Sequence, residues 1–334
     1  LVEYDILVDK FDKESERSTL GKTASGSSNA KIILIGDHSV VYGQPAIALP
    51  LPSVTTHVTM TATDHEQLLT SRYYDGPIAQ MHQNLAGVAT LIKTLLRRFD
   101  AVNTPFHMTI TSDLPAERGM GSSAAAAVAI TRAMYAFFDR FLNREQLLAS
   151  AAIEEAITHG KPSGIDAATA SSNAPIWFIP HQESLQIPFA LTGYLVIADS
   201  GIKGQTGKAV AAVARRKTAF PQETQTQINR LGDLTYQARQ ALATPNINQL
   251  GQILTEAQQQ LQALGVSSRE LDHLTQVATG NGALGAKLTG GGMGGCLIAL
   301  CSDLPTTQRV QQALLDAGAT QTWIETFNLE EAHS

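Results

Sequence analysis

Polar and apolar positions repeat with two different periods along the chain, and the period changes at definable places. Residues 52–63, PSVTTHVTMTAT, alternate and are rich in Thr and Val, the pattern of a half-buried strand. Short apolar runs at Lys31–Ile35, 106–112 (FHMTITS), Gly193–Asp199, 296–301 and 320–326 predict further strands. Over Ile78–Phe99 the period lengthens, and Leu85, Val88, Ile92, Leu95 and Leu96 form a helical stripe. The run Ala124–Phe138 is apolar on nearly every side, so that helix should be buried, and Arg144–Thr158 reads as another, ending near His159-Gly160. Residues 222–264 are Gln-rich and amphipathic, with Leu231, Leu234, Ala238 and Leu242 on one face and Leu250, Leu254, Ala257, Leu261 and Leu264 on the next. A last helix covers about 305–317. Strands and helices mix without strict βαβ alternation, which predicts an α+β fold in two domains, 29–190 and 191–334.

Composition narrows the function. The 334 residues are 43% hydrophobic and 16% charged, enough for an ample core and unlike a disordered chain. A net charge of −6, with no cluster of Lys and Arg, offers nothing to nucleic acid. The longest apolar runs are too short to span a bilayer, so no membrane is expected. Cys296 and Cys301 lie five apart in one predicted strand, are not expected to pair, and suit a reducing, cytoplasmic compartment. Residues 1–28 are charged and then Gly/Ser-rich, and they lack the basic start and apolar core of a secretory signal. They read as a poorly ordered leader outside the fold.

Three Gly-containing segments and one Gly-dense stretch carry the candidate chemistry. In KIILIGDHSVVYG (31–43) a strand ends at Gly36 and Asp37-His38 follow at once. Taken alone, this is a strand, a turn and some surface polar groups. In DLPAERGMGSSAAAA (113–127), Gly119 and Gly121 loosen the backbone just before Ser122-Ser123 and a strong helix. Unpaired N–H groups at a helix start suit phosphate, although Ser122 as a simple N-cap is the competing reading. The spacing is not that of a Walker loop. In EEAITHGKPSGID (154–166), Gly160, Pro162 and Gly164 impose a turn between Glu155 and Asp166. Two carboxylates held that way could divide metal binding and proton transfer, while a Glu-Glu pair alone is more often a solvated helix face. Finally, KLTGGGMGGCLIAL (287–300) places five glycines, Gly290, Gly291, Gly292, Gly294 and Gly295, within six residues, at a large entropic cost.

In this combination and order the segments resemble the motifs of the galactokinase, homoserine kinase, mevalonate kinase and phosphomevalonate kinase (GHMP) superfamily, over about residues 29–327. Within it, KIILIGDHSVVYG and HGKPSGID look like those of the mevalonate kinase family. The resemblance implies a two-domain fold, with a ribosomal-protein-like α/β N-terminal domain and a ferredoxin-like α+β C-terminal domain. It implies ATP and Mg²⁺ as cofactors, mevalonate as substrate, and a place in the mevalonate pathway of isoprenoid biosynthesis. By position, Asp166 matches the catalytic base and Lys31 the lysine beside it. Ser123 and Glu155 match the two Mg²⁺ ligands. Pro115, Gly119, Met120, Gly121, Ser122, Ser123 and Ala124, with Gly290, Gly291 and Gly292, match the ATP-binding loops, so the glycine density would answer to ATP. Asp37, His38, Ser163 and Thr206 match substrate-side positions. Asp37 departs from the Glu of many relatives, and Met120 and Met293 replace other residues. Another kinase of the superfamily is the nearest alternative, although GDHSVVYG lacks the Asp-Tyr of the galactokinase motif. A non-catalytic sensor on the same fold is the other alternative, and it should have lost some of these side chains. A homodimer is an expected assembly that the sequence does not decide.

Overall fold

The computed structural model describes residues 21–114, 118–159 and 164–327. The chain divides into two compact units that are discontinuous in sequence. One holds residues up to Ser28, Thr55–Asp113 and Ser123–Ala167, and the other Asn29–Val54, Leu114–Ser122 and Ala168 onward.

The first unit contains the start of β1 (Thr23–Ile35) and the end of β2 (Ala46–Ala62). It also holds β3 (Gln67–Ser71), β4 (Tyr74–Pro77) and β5 (Phe106–Ser112), with helices α1 (Ala86–Arg98), α2 (Ser122–Phe137) and α3 (Arg144–His159). β2 pairs antiparallel with β5 from Thr56↔Ser112 to Ala62↔Phe106. β3 runs parallel to β5 and forms a hairpin with β4. Leu91, Ile92 and Leu95 of α1, Met60 and Met108 of the sheet, and Val128, Ile130 and Met134 of α2 are buried in one core. As expected, most of α2 is buried, although Ala136 is exposed and Ala126 and Arg132 are half-buried.

The second unit is built on an antiparallel sheet ordered β11-β8-β10-β9, from β8 (Gly193–Asp199), β9 (Gly285–Thr289), β10 (Cys296–Cys301) and β11 (Gln321–Phe327). Its helices are α5 (Thr206–Ala219), α6 (Pro221–Leu242), α7 (Ile247–Ala263), α8 (Arg269–Gly280) and α9 (Leu304–Asp316). The short α4 (Ile165–Ala170) begins in the first unit. In the second, the start of β2 pairs with β6 (Ile176–Phe178), which pairs with β7 (Leu185–Gln186). Local chemistry sets the helix starts. Asn246, Ser268 and Asp303 each accept a backbone N–H of the first turn of α7, α8 and α9, and Pro221 opens α6.

Three boundaries differ from the sequence reading by more than two residues. β1 starts at Thr23, inside the stretch taken for a leader, while residues 1–20 lie outside the described residues. The Gly/Ser composition there serves close packing: a Cβ on Gly26 would lie 2.8 Å from Arg132 Cβ and nearer still to the Ala129 carbonyl oxygen of α2. β2 starts at Ala46, because its first residues are buried on both faces and so show no alternation. The stripe from Ile78 resolves into two 3₁₀ turns before α1, since Met81 and His82 adopt extended backbone.

Candidate active site

In the first unit, Ser123 stands in the first turn of α2 and Glu155 in the last turns of α3. Glu155 is buried, and one of its carboxylate oxygens accepts the Gly164 N–H at 3.4 Å, which ties it to the backbone two residues before Asp166. Asp166 is half-buried in the first turn of α4. Ser163, like Gly160 and Pro162, lies outside the described residues. Glu154 is no solvated neighbour: it is buried and accepts the Thr158 hydroxyl at 2.6 Å.

In the second unit, Lys31 is buried and its backbone N–H donates to the Met120 carbonyl at 3.0 Å. Its aliphatic stem crosses Gly121, where a Cβ would lie 2.7 Å from Lys31 Cγ. Gly121 is therefore required by a lysine stem as well as by its left-handed φ of 73°. Gly119 is exposed and Gly121 and Ser122 half-buried, whereas the side chain of Met120 is buried. The neighbouring Ala124 of the first unit is also buried. Those two can serve a ligand only through backbone or as support. Pro115 lies outside the described residues. Arg118 of the same loop forms an ion pair with Asp199, Nε to Oδ2 at 3.1 Å, while its Nη1 is buried without a partner among the described residues.

The Gly-dense loop packs mainly on protein. Gly290 meets Gly119 backbone to backbone, with a built Cβ 3.5 Å from Gly119 Cα. A Cβ on Gly291 would lie 2.6 Å from Thr206 Cβ, and one on Gly292 would strike the Val266 carbonyl. Gly292 is itself buried, and Gly290 and Gly291 are half-buried. Protein atoms fill the space that side chains would need at Gly291 and Gly292, whereas at Gly290 a Cβ would meet Gly119 only at ordinary van der Waals distance. Thr206, the exposed first residue of α5, packs against Gly291 beneath the Gln205 N–H···Gly292 carbonyl hydrogen bond of 3.2 Å.

Asp37 and His38 grip this loop. Asp37 Oδ1 accepts the Gly290 N–H at 2.6 Å, and Oδ2 accepts Lys287 Nζ at 2.6 Å. His38 Nε2 lies 2.9 Å from the Gly291 carbonyl oxygen and can only donate to it. Burial holds the imidazole below its ordinary pKa, against the opposing charge of Asp37. The neutral tautomer that results carries its proton on Nε2 and leaves Nδ1 as an acceptor. The sequence reading missed Lys287 and Arg118. Lys287 did leave a signal, a lone charge in the otherwise apolar strand of GALGAKLT.

Among the described residues no group of three or more His, Cys, Asp or Glu gathers as a metal cage. One hydroxyl and one carboxylate, Ser123 and Glu155, nevertheless suit Mg²⁺, which takes few protein ligands and completes its shell with phosphate and water. No described helix is long and apolar enough to cross a membrane.

Family comparisons agree with this architecture. The profile of the GHMP kinases N terminal domain matches residues 86–173, and that of the GHMP kinases C terminal matches residues 238–320. The chain belongs to the GHMP kinases, a class of kinase enzymes. The particular relatives are mevalonate kinases. That of Pyrococcus abyssi is 32% identical over 317 residues, covering 88% of this chain and 92% of the relative. Among solved structures, mevalonate kinase from methicillin-resistant Staphylococcus aureus has 33% identity and a TM-score of 0.74, over 91% of this chain and 99% of that one. The L. major mevalonate kinase in complex with R-mevalonate has 26% identity and a TM-score of 0.81, over 92% and 97%.

Proposed function

We propose that the protein transfers the γ-phosphoryl group of ATP to the C5 hydroxyl of (R)-mevalonate, giving ADP and 5-phosphomevalonate. The observation that carries this reading is sequence likeness to enzymes named mevalonate kinase across 88% of the chain. It is supported by a related structure that holds R-mevalonate.

In this reading Asp166 accepts the hydroxyl proton as the oxygen attacks the γ-phosphorus. The bond to the β–γ bridging oxygen breaks, and ADP leaves with that electron pair. Lys31 favours ionised Asp166 and offsets negative charge on the attacking oxygen. Backbone N–H groups of the Gly119–Ser122 loop take the phosphates, at the positive end of α2. Ser123 and Glu155 would hold Mg²⁺, which when bound neutralises phosphate charge. Neutral His38, anchored through Nε2, offers Nδ1 to a substrate hydroxyl. Such a reaction asks chiefly for positioning and charge stabilisation.

Turnover with Mg²⁺-ATP across mevalonate, phosphomevalonate, galactose and homoserine tests the proposal. Mevalonate should give the highest kcat/KM. A higher value for any other member of the panel, or none for mevalonate, overturns it.

A further inference from the structure

We infer that Asp37, seated by a buried ionic strut to Lys287, sets the pose of the Gly290–Gly291 backbone through the oxygen that accepts the Gly290 N–H. Asp37 is then a positioning residue for the nucleotide side of the reaction, not a substrate ligand. The inference rests on the kinase reading above and deepens it.

Lys287 is fully buried in β9, opposite Ile298 of β10. An ammonium removed from water is strongly disfavoured unless paired and hydrogen-bonded. Its charged partner is Asp37 at 2.6 Å, whose side chain is also fully buried, and it donates in addition to the Leu288 carbonyl. Burial pulls the ammonium pKa down from the usual lysine range, and Asp37 acts against that pull. The other oxygen of Asp37 is taken by the Gly290 N–H. Each oxygen already accepts a hydrogen bond, and the side chain is unexposed, so this carboxylate presents no surface to a substrate.

The next residue repeats the grip. His38 holds the Gly291 carbonyl from a backbone at φ 61° and ψ −42°, a sparsely populated conformation for a residue with a side chain. Such strain persists where the surroundings over-determine it. Two consecutive residues of the first segment thus fix one N–H and one C=O of the Gly loop. Gly290 in turn lies against Gly119 of the proposed phosphate loop. The path runs from Lys287 through Asp37 and Gly290 to Gly119, all within one unit.

Two double variants of the full chain test the strut without leaving a lone buried charge. Lys287→Met with Asp37→Asn keeps an oxygen for the Gly290 N–H, while Lys287→Met with Asp37→Ala removes it. Loss of that charge-assisted hydrogen bond should raise the KM for ATP by at least about tenfold in the Ala pair, with the KM for mevalonate within about threefold of wild type. The Asn pair should restore the ATP value to within about threefold, which a purely structural role would not produce. A defect confined to mevalonate would make Asp37 a substrate ligand, and unchanged constants in the Ala pair would also overturn the inference. Hydrogen exchange of the Gly290 amide in the nucleotide-free wild type gives a readout that does not depend on the variants folding. The strut requires protection before nucleotide is added, and rapid exchange there contradicts it. Absence of turnover in the wild type would sink the kinase reading while leaving the exchange result to judge the strut.

Discussion

Gly292 and Gly265 make a controlled pair for asking what the glycine density is for. Both lie in left-handed backbone, with φ of 72° and 77°. Gly265 follows the end of α7 in a Schellman arrangement, with its own N–H on the Gln262 carbonyl and the Val266 N–H on Leu261. A Cβ built on Gly265 meets nothing within 4 Å. One built on Gly292 lies 3.2 Å from the Val266 carbonyl carbon and nearer still to its oxygen, which also accepts the Met293 N–H at 2.8 Å. Ala at either site carries the left-handed penalty of about 1–2 kcal/mol. The entropy gained from the unfolded chain is common to both and cancels. Gly292→Ala adds an overpacking cost of about 1–3 kcal/mol, because the obstacle is backbone and cannot rotate away. At roughly 2–4 °C per kcal/mol for a unit of this size, Gly292→Ala should melt about 2–12 °C below Gly265→Ala. Calorimetry of the two nucleotide-free variants, with titration of an ATP analogue, reads the difference. Equal melting temperatures, with nucleotide affinity lost only in Gly292→Ala, would refute the packing argument and return the glycine to the ligand.

Two further outcomes follow from the site. Ser123→Ala and Glu155→Gln should each raise the Mg²⁺ concentration needed for half-maximal rate by at least about tenfold without a matching change in melting, and a near wild-type rate at limiting Mg²⁺ would remove that residue from the ligand set. His38 binds its proton more weakly in the folded protein than the ordinary value of 6.5, because of burial. The unfolded chain therefore holds more proton in the window below about 6.5, and stability should fall there on acidification by at most about 1.4 kcal/mol per pH unit from this group. The unfolding free energy of wild type relative to His38→Gln, followed from pH 7.5 to about 5.5, should decline, and a pH-independent difference would contradict the assigned shift.

The sequence was most legible where the chemistry is local. β5, β8 and β10 begin and end at the residues expected, because apolar runs bounded by polar turns need no knowledge of partners. The GHMP segments were recognisable because their residue types sit at fixed spacings. Distant packing was hidden. Lys287 stood out as a charge in an apolar strand, but its partner Asp37 is 250 residues away. The carbonyl that forbids a side chain at Gly292 belongs to Val266, a residue with no special chemistry, placed there by the end of α7. The Gly/Ser run at the start of β1 mimics a linker in composition, and only the nearness of α2 explains it.

The proposed role of Asp166 as the base in phosphoryl transfer to mevalonate is tested most directly by single-turnover kinetics of Asp166→Asn. The amide keeps the size of the side chain and one acceptor oxygen but removes the charge that takes the proton. The transfer rate should drop by roughly two to four orders of magnitude, while equilibrium binding of ATP and of mevalonate stays near wild type. A transfer rate close to wild type would place the base elsewhere and contradict the mechanism.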